Sequence, residues 1–256
     1  MRRRRLFGLS AAGALLFLLI HRGADFGAIT WGVVSLAVVA VAAVSFRFIT
    51  RGSGSDLGLC APSGLPAVAG WALFLAVGGH VAHRVGGDQG WPSAAAASDG
   101  ARSGSPVALA AALVAVAVTC VATELVRLGL LHRGIRDAVI GTTGRWGAFS
   151  AGVAAQVAAL LLAGFAAGPH VTAVFCVVVA SLAYEFTGSL WAPVAGQALH
   201  AALYFGGTAP PDVTSASTGP VTIVAIIAIP ATSLLVACFL CIALGSTNRI
   251  AAVTTG

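Results

Sequence analysis

Apolar runs of about 20 residues recur along this chain from end to end, broken only by short polar stretches. A helix of that length spans the roughly 30 Å hydrocarbon core of a bilayer at 1.5 Å per residue. The pattern predicts eight membrane-spanning helices at about 6–20, 26–46, 65–82, 106–127, 146–167, 170–187, 190–206 and 220–244. Short polar connectors separate them. The two longest, RFITRGSGSDLGLCAPSG and RVGGDQGWPSAAAASDGARSGS, are rich in Gly, Ser and Asp, as loops are. No internal repeat and no soluble domain stands out. The expectation is an all-α, polytopic transmembrane bundle in which residues 1–256 form a single membrane domain.

Composition agrees with the pattern. Only 9% of residues are charged and mean hydropathy is +0.96, whereas soluble domains carry about 25% charged residues. Disorder is excluded as well, because it needs low hydrophobicity and high charge. The basic balance does not point to nucleic acid. All fourteen basic residues are arginines, placed singly or in pairs between apolar runs except for the cluster Arg2–Arg5. That cluster precedes LFGLSAAGALLFLLI like the start of a signal peptide. No small-residue cleavage site follows, and His21-Arg22 interrupts where one belongs, so the segment reads as an uncleaved first span.

Basic residues concentrate on the cytoplasmic side of membrane proteins. With the N-terminus inside, Arg2, Arg3, Arg4, Arg5, Arg47, Arg51, Arg127, Arg133, Arg136, Arg145 and Arg249 fall on that side, and Arg22, Arg84 and Arg102 fall outside. This bias predicts a multi-pass protein of the cell membrane with both termini cytoplasmic. Its first partner is the lipid bilayer. The arginine-only, Ala- and Gly-rich composition fits a GC-rich bacterial genome.

Polar side chains inside spans cost a few kcal/mol to insert and so mark function. Here they are Glu124, Arg127, Gln156, Glu185, Gln197 and His200. Glu124 and Arg127, three residues apart near the inner end of the fourth span, share a helical face and can pair. Such a pair is either structural or a general base beside its modulator. Glu185, next to Tyr184 at the end of the sixth span, reads as an interfacial anchor. Gln197 and His200 follow Trp191 by six and nine residues, about 9–14 Å deep, which allows one cytoplasm-facing cavity shared with Glu124. His80 and His83 have metal-like spacing but lack a third ligand, and lie at the opposite end of their span from Glu124. Cys238-x-x-Cys241 sits in continuous apolar sequence and reads as two small hydrophobes. No cofactor and no metal is expected.

Several of these residues fall in blocks that resemble a known family. YEFTGSLWAPVAGQALHAALYF is similar to the last block of the CPBP family, the CAAX-protease and bacteriocin-processing intramembrane proteases, which reads like Y-x-R-T-G-S-L-W-A-P-I-x-x-H-A-x-x-N. TELVRLGLLHRGIR resembles the first block, E-E-x-x-x-R-G-x-L followed by arginines, and SDLGLCAPSGLP resembles the L-G-L connector. The blocks cover about residues 55–206 in the family's order.

The resemblance implies an intramembrane bundle in which a glutamate, two histidines and an asparagine activate water against a peptide bond near the cytoplasmic face. Carried over by position, the paired glutamates fall on Thr123 and Glu124 and the arginine on Leu128, one place after Arg127. The F-x-x-x-H position falls near Gln156 to Leu160, the last histidine on Gln197 and the asparagine on Ala201, with His200 beside the motif. Threonine is no base at neutral pH, leucine cannot orient water, and alanine donates nothing to an oxyanion. Glu124, Arg127, Gln197 and His200 remain as candidate catalytic residues.

Three functions follow as expectations. The first is a catalytically impaired CPBP-like protein that binds a peptide or a membrane-tethered partner. The second is an active, divergent glutamate-type endopeptidase using Glu124. The third is an unrelated transporter or membrane scaffold.

Overall fold

The structure, a computed structural model, describes residues 2–23, 28–50, 58–59, 64–86, 105–163, 171–207, 227–229, 231–233 and 235–236. Among them the regular structure is entirely helical. We label the helices α1 (Arg2–Gly23), α2 (Ala28–Thr50), α3 (Leu65–Gly86), α4 (Pro106–Glu124), α5 (Arg133–Leu162), α6 (Val171–Thr187) and α7 (Trp191–Gly207). A π-helical segment, Leu125–His132, joins α4 to α5 without a break. Arg3–His21, Thr30–Ile49, Leu65–Ala82 and the run Pro106–Leu162 are each long and apolar enough to cross a membrane, and Thr172–Thr187 is a shorter apolar helix.

The core sits around α4. Its start follows from local chemistry: Ser105 caps the Ala108 N–H with its side chain, and Pro106 occupies the first turn, where no N–H is needed. From Ala112 onward nearly every face of α4 and of the π segment is buried, as expected for a helix apolar all round. α1 and α2 pack against this rod on one side. α3 packs against α6 and α7, and α7 closes back onto α4.

Small residues bring the helices close. A Cβ on Gly32 of α2 would lie 2.7 Å from the Ala115 methyl of α4, and one on Gly196 of α7 would lie 2.7 Å from Leu75 of α3. Nearby, the Ser35 and Thr119 hydroxyls bond at 2.8 Å between α2 and α4.

Contacts also fix helix direction. Gly13 of α1 meets Leu130 and Leu131, while Gly134 meets Ser10, so α1 runs antiparallel to the π segment. The Arg133 guanidinium lies over the Phe46 ring of α2, and Val68 of α3 clusters with Ala183 of α6 and Ala192 of α7. The starts of α1, α3 and α7 and the ends of α2, the π segment and α6 therefore meet at one end of the bundle. Arg5, Arg47, Arg133 and Arg136, sorted to one side by charge, are all at that end.

Two expectations need correction. The polar stretch between the predicted fourth and fifth spans is not a loop. The helix continues through the π segment to 143, reverses at Gly144 (φ 70°, ψ 177°) and returns as 145–162. Only glycine adopts that backbone readily, having no Cβ to clash. The second correction concerns Glu124. The buried rod extends eight residues past it, so the carboxylate lies well inside the bundle rather than near its arginine-rich end. Of the predicted eighth span, 227–229, 231–233 and 235–236 are helical, and Ser233 donates to the Ala117 carbonyl at 3.1 Å. Cys238, Cys241, Pro230 and the interiors of the two long connectors lie outside the described residues.

Candidate functional site

Glu124 ends α4 with no exposed surface. Three residues on, Arg127 reaches back along the same face, and its Nη2 donates to both carboxylate oxygens at 2.6 Å. A carboxylate and guanidinium held this way neutralise each other, which is how a buried pair tolerates loss of water. Nη1 points the other way and donates to Gln156 Oε1 of α5 at 2.9 Å, with the Val177 carbonyl of α6 at 3.5 Å.

The π register brings in a further group. At 3.6 residues per turn, positions five apart point roughly 140° from one another. The i→i+5 bonding of a π-helix instead stacks them, which brings Arg127 and His132 onto one side of the rod, both against Gln156. His132 is fully buried, and its Nδ1 lies 2.9 Å from Gln156 Nε2. It has room because residue 152 is glycine. A Cβ there would lie 2.5 Å from His132 Nδ1.

Hydrogen-bond polarity then follows from one residue. Arginine has donors only, so Gln156 turns its oxygen to Arg127 and its NH2 to the far side. That NH2 lies 2.9 Å from Ser181 Oγ, whose own hydrogen goes to the Val177 carbonyl at 2.7 Å. For the remaining hydrogen the NH2 faces two groups, His132 Nδ1 at 2.9 Å and the Gly152 carbonyl at 3.3 Å. His132 Nε2 faces Glu185 Oε1 at 3.4 Å, a contact in which a hydrogen on Nε2 would be donated to the carboxylate. Glu185 also accepts from Arg136 Nη1, and Asp137 ties Arg136 to Arg133 at the bundle end. One polar chain thus runs from Glu124 in the interior to the arginine-rich end, with donors facing acceptors throughout.

Glu185 is accordingly part of this chain and not a free interfacial anchor. Gln156 becomes its hub. Sequence reasoning missed His132, Ser181 and Asp137. LLHRGIR reads as a polar connector, and only the unbroken helix with its π register buries His132. The spacing Arg127…His132 carried the signal, but it is invisible if α geometry is assumed.

Gln197 and His200 occupy a second place, the seam between α7 and α3. His200 is buried with its ring against Gly79 of α3, where the Cys176 sulfur of α6 also lies; a Cβ on Gly79 would be 3.2 Å from the ring and 3.3 Å from the sulfur. Cys176 also lies within electrostatic reach of both Arg127 and Glu124. Gln197 is 6% exposed, and its buried Nε2 has no hydrogen-bond partner among the described residues. The same holds for Nδ1 of His80, one residue past Gly79; the His83 side chain lies outside the described residues. The expected single cavity open to the cytoplasm is not what surrounds Glu124, because no solvent reaches it and both its oxygens are occupied.

No protein-family model, curated protein or solved structure matches this chain significantly.

Proposed function

We propose that this chain is a multi-pass membrane protein of CPBP-like architecture that has exchanged peptide hydrolysis for binding of a peptide or membrane-tethered partner. One observation carries the reading: the Glu124 carboxylate is fully buried and spends both oxygens on Arg127. A general base needs a lone pair aimed at water within about 2.6–3.2 Å, and this one faces a guanidinium.

Two further observations support it. The segments that carry the sequence resemblance are hydrogen-bonded to each other. Leu190 N donates to the Gly58 carbonyl at 2.9 Å, and Trp191 Nε1 to the Leu59 carbonyl at 3.2 Å. The resemblance thus falls on pieces of one packed unit. Meanwhile Gln197 keeps a buried N–H without a partner among the described residues, the kind of donor that an incoming peptide carbonyl satisfies. The orientation that goes with this reading puts both termini and the arginine-rich end in the cytoplasm.

The same orphan N–H favours a second reading, an active glutamate-type endopeptidase in which Gln197 stabilises the oxyanion. It requires Arg127 to leave Glu124 when substrate binds. A proteolysis assay on purified, reconstituted protein decides between them. Under the binding reading, wild type and Glu124→Gln are equally inactive on a panel of membrane-tethered and free peptides, and Gln197→Leu weakens capture of a photocrosslinking peptide. Cleavage by wild type that Glu124→Gln abolishes, with folding intact, establishes the protease instead.

A further inference from the structure

The elbow of α5 stands clear of the bundle. The limbs on either side of Gly144 run antiparallel, with Gln156 opposite Arg127 and Gly152 opposite His132. Residues 141–147 are all exposed, and a Cβ on Gly141 or Gly144 would meet nothing within 4 Å. No other described helix covers this turn, yet it carries Trp146, 59% exposed, and Ile140, 43% exposed. Depth places it at the membrane surface. Trp146 lies six residues past Gly152 toward the turn, about 9 Å at helical rise, which sets it just beyond Arg136 and Asp137. Arg5, five residues before the Ser10 that meets Gly134, lies about 7.5 Å beyond that contact. The exposed tryptophan and the arginine cluster of α1 therefore share one level. Tryptophan concentrates at the headgroup level of bilayers, where its ring meets lipid and its N–H meets water.

The chemistry of the elbow suits that layer. Thr142 and Thr143 both turn their hydroxyls back to the Val139 carbonyl, at 2.8 and 3.0 Å, so their hydrogens need no water. The Arg145 guanidinium lies over the Trp146 ring, 5.6 Å from its centroid, which holds charge and ring together. No acidic residue occurs between Asp137 and Glu185. Asp137 is tied to Arg133 and Arg136, and Glu185 to Arg136. Among the described residues no carboxylate pairs with Arg145, so its charge is open to an anion from outside the chain. An exposed ring and a cation at one depth match a lipid surface, with apolar contact beneath the headgroups and phosphate among them.

We propose that the elbow at 140–147 is an interfacial anchor that docks on the headgroup layer of the bilayer, with Trp146 seated beside the glycerol backbones and Arg145 on the phosphate of an anionic phospholipid. Because the two limbs of α5 also carry Gln156 and His132, the anchor sets the depth of the polar chain in the membrane. It is independent of whether the protein cleaves or binds peptides.

The test uses full-length protein reconstituted in vesicles of equal parts phosphatidylcholine and phosphatidylglycerol. Tryptophan emission is compared between wild type and Trp146→Phe, and the difference is the Trp146 signal. Trp146→Tyr takes its place if the first variant does not fold, as judged by circular dichroism. Bromine on acyl carbons next to the glycerol should quench this signal more than bromine at the chain ends, and aqueous acrylamide should quench it less than it quenches free tryptophan amide. With bromine carried by only one of the two lipids, quenching should report roughly fivefold enrichment of phosphatidylglycerol over phosphatidylcholine, the effect of one arginine near an anionic surface. Arg145→Gln, read against Arg145→Gln/Trp146→Phe, should bring that enrichment to within about twofold. A Trp146 signal open to acrylamide and untouched by brominated lipid overturns the proposal, because the elbow then stands in water. Strongest quenching from the chain ends overturns it too, because the elbow is then sunk in hydrocarbon. An unchanged lipid preference in Arg145→Gln likewise overturns it, since the preference would then come from Arg2–Arg5.

Discussion

Two regions of this bundle bury polar side chains, and they treat them in opposite ways. Around Gln156 the chain from Glu124 to Glu185 is closed, with Arg127 setting which way the Gln156 amide points. Along the seam of α3 and α7, Gln197 and His80 each keep a buried polar atom without a partner among the described residues. A closed network fixes one arrangement of helices, because any slip leaves several groups unsatisfied at once. An orphaned donor contributes nothing to stability and costs desolvation. Its retention makes sense where something else binds. The first region is the frame, and the second is where a partner would be felt.

Variants can break or sharpen that contrast. The largest effect belongs to the ion pair. Removing one member of a buried pair costs about 3–5 kcal/mol, so Glu124→Ala and Arg127→Met should each lower stability by that much in detergent, read by thermal or denaturant unfolding. Glu124→Leu/Arg127→Met should cost less than either single change, since no uncompensated charge remains. Next comes Gly152→Ala, which drives a methyl into His132. Overpacking costs typically about 1–3 kcal/mol, and the expected signature is a shift of the His132 ring signals in nitrogen NMR of labelled histidine. The two glutamines make the most direct comparison. Gln156→Leu should destabilise by about 1–3 kcal/mol, whereas Gln197→Leu should be neutral or stabilise slightly. If both changes destabilise equally, the two regions are not different in kind. The smallest effect is expected at the bundle end, where the Arg133–Asp137 pair is partly exposed. Asp137→Asn should cost no more than about 1 kcal/mol and become silent in high salt.

Much of this was legible residue by residue. Six of the predicted helices appear within a few residues of their expected bounds, and the fourth overruns its expected end to reach 143; lipid-length apolar runs leave the backbone no other way to satisfy its hydrogen bonds. Pairing of Glu124 with Arg127 was readable from a spacing of three. His132 was not, because its burial depends on a π register that no residue type announces. Gln156 looked like one costly polar residue among several. Its position between Arg127, Ser181 and His132 required α5 to double back at Gly144, and α6 to pack alongside.

The sequence alone therefore determined that the chain is a bundle of apolar helices, which helices carry polar groups, and which ends carry arginine. These are properties of local composition and of periodicity along one helix. Which polar groups meet, and which are left open, was decided only by tertiary structure. Side chains such as Arg127, Gln156, His132 and Glu185 come from three different helical elements. Their hydrogen-bond directions have no meaning until those elements are packed at a set depth and rotation.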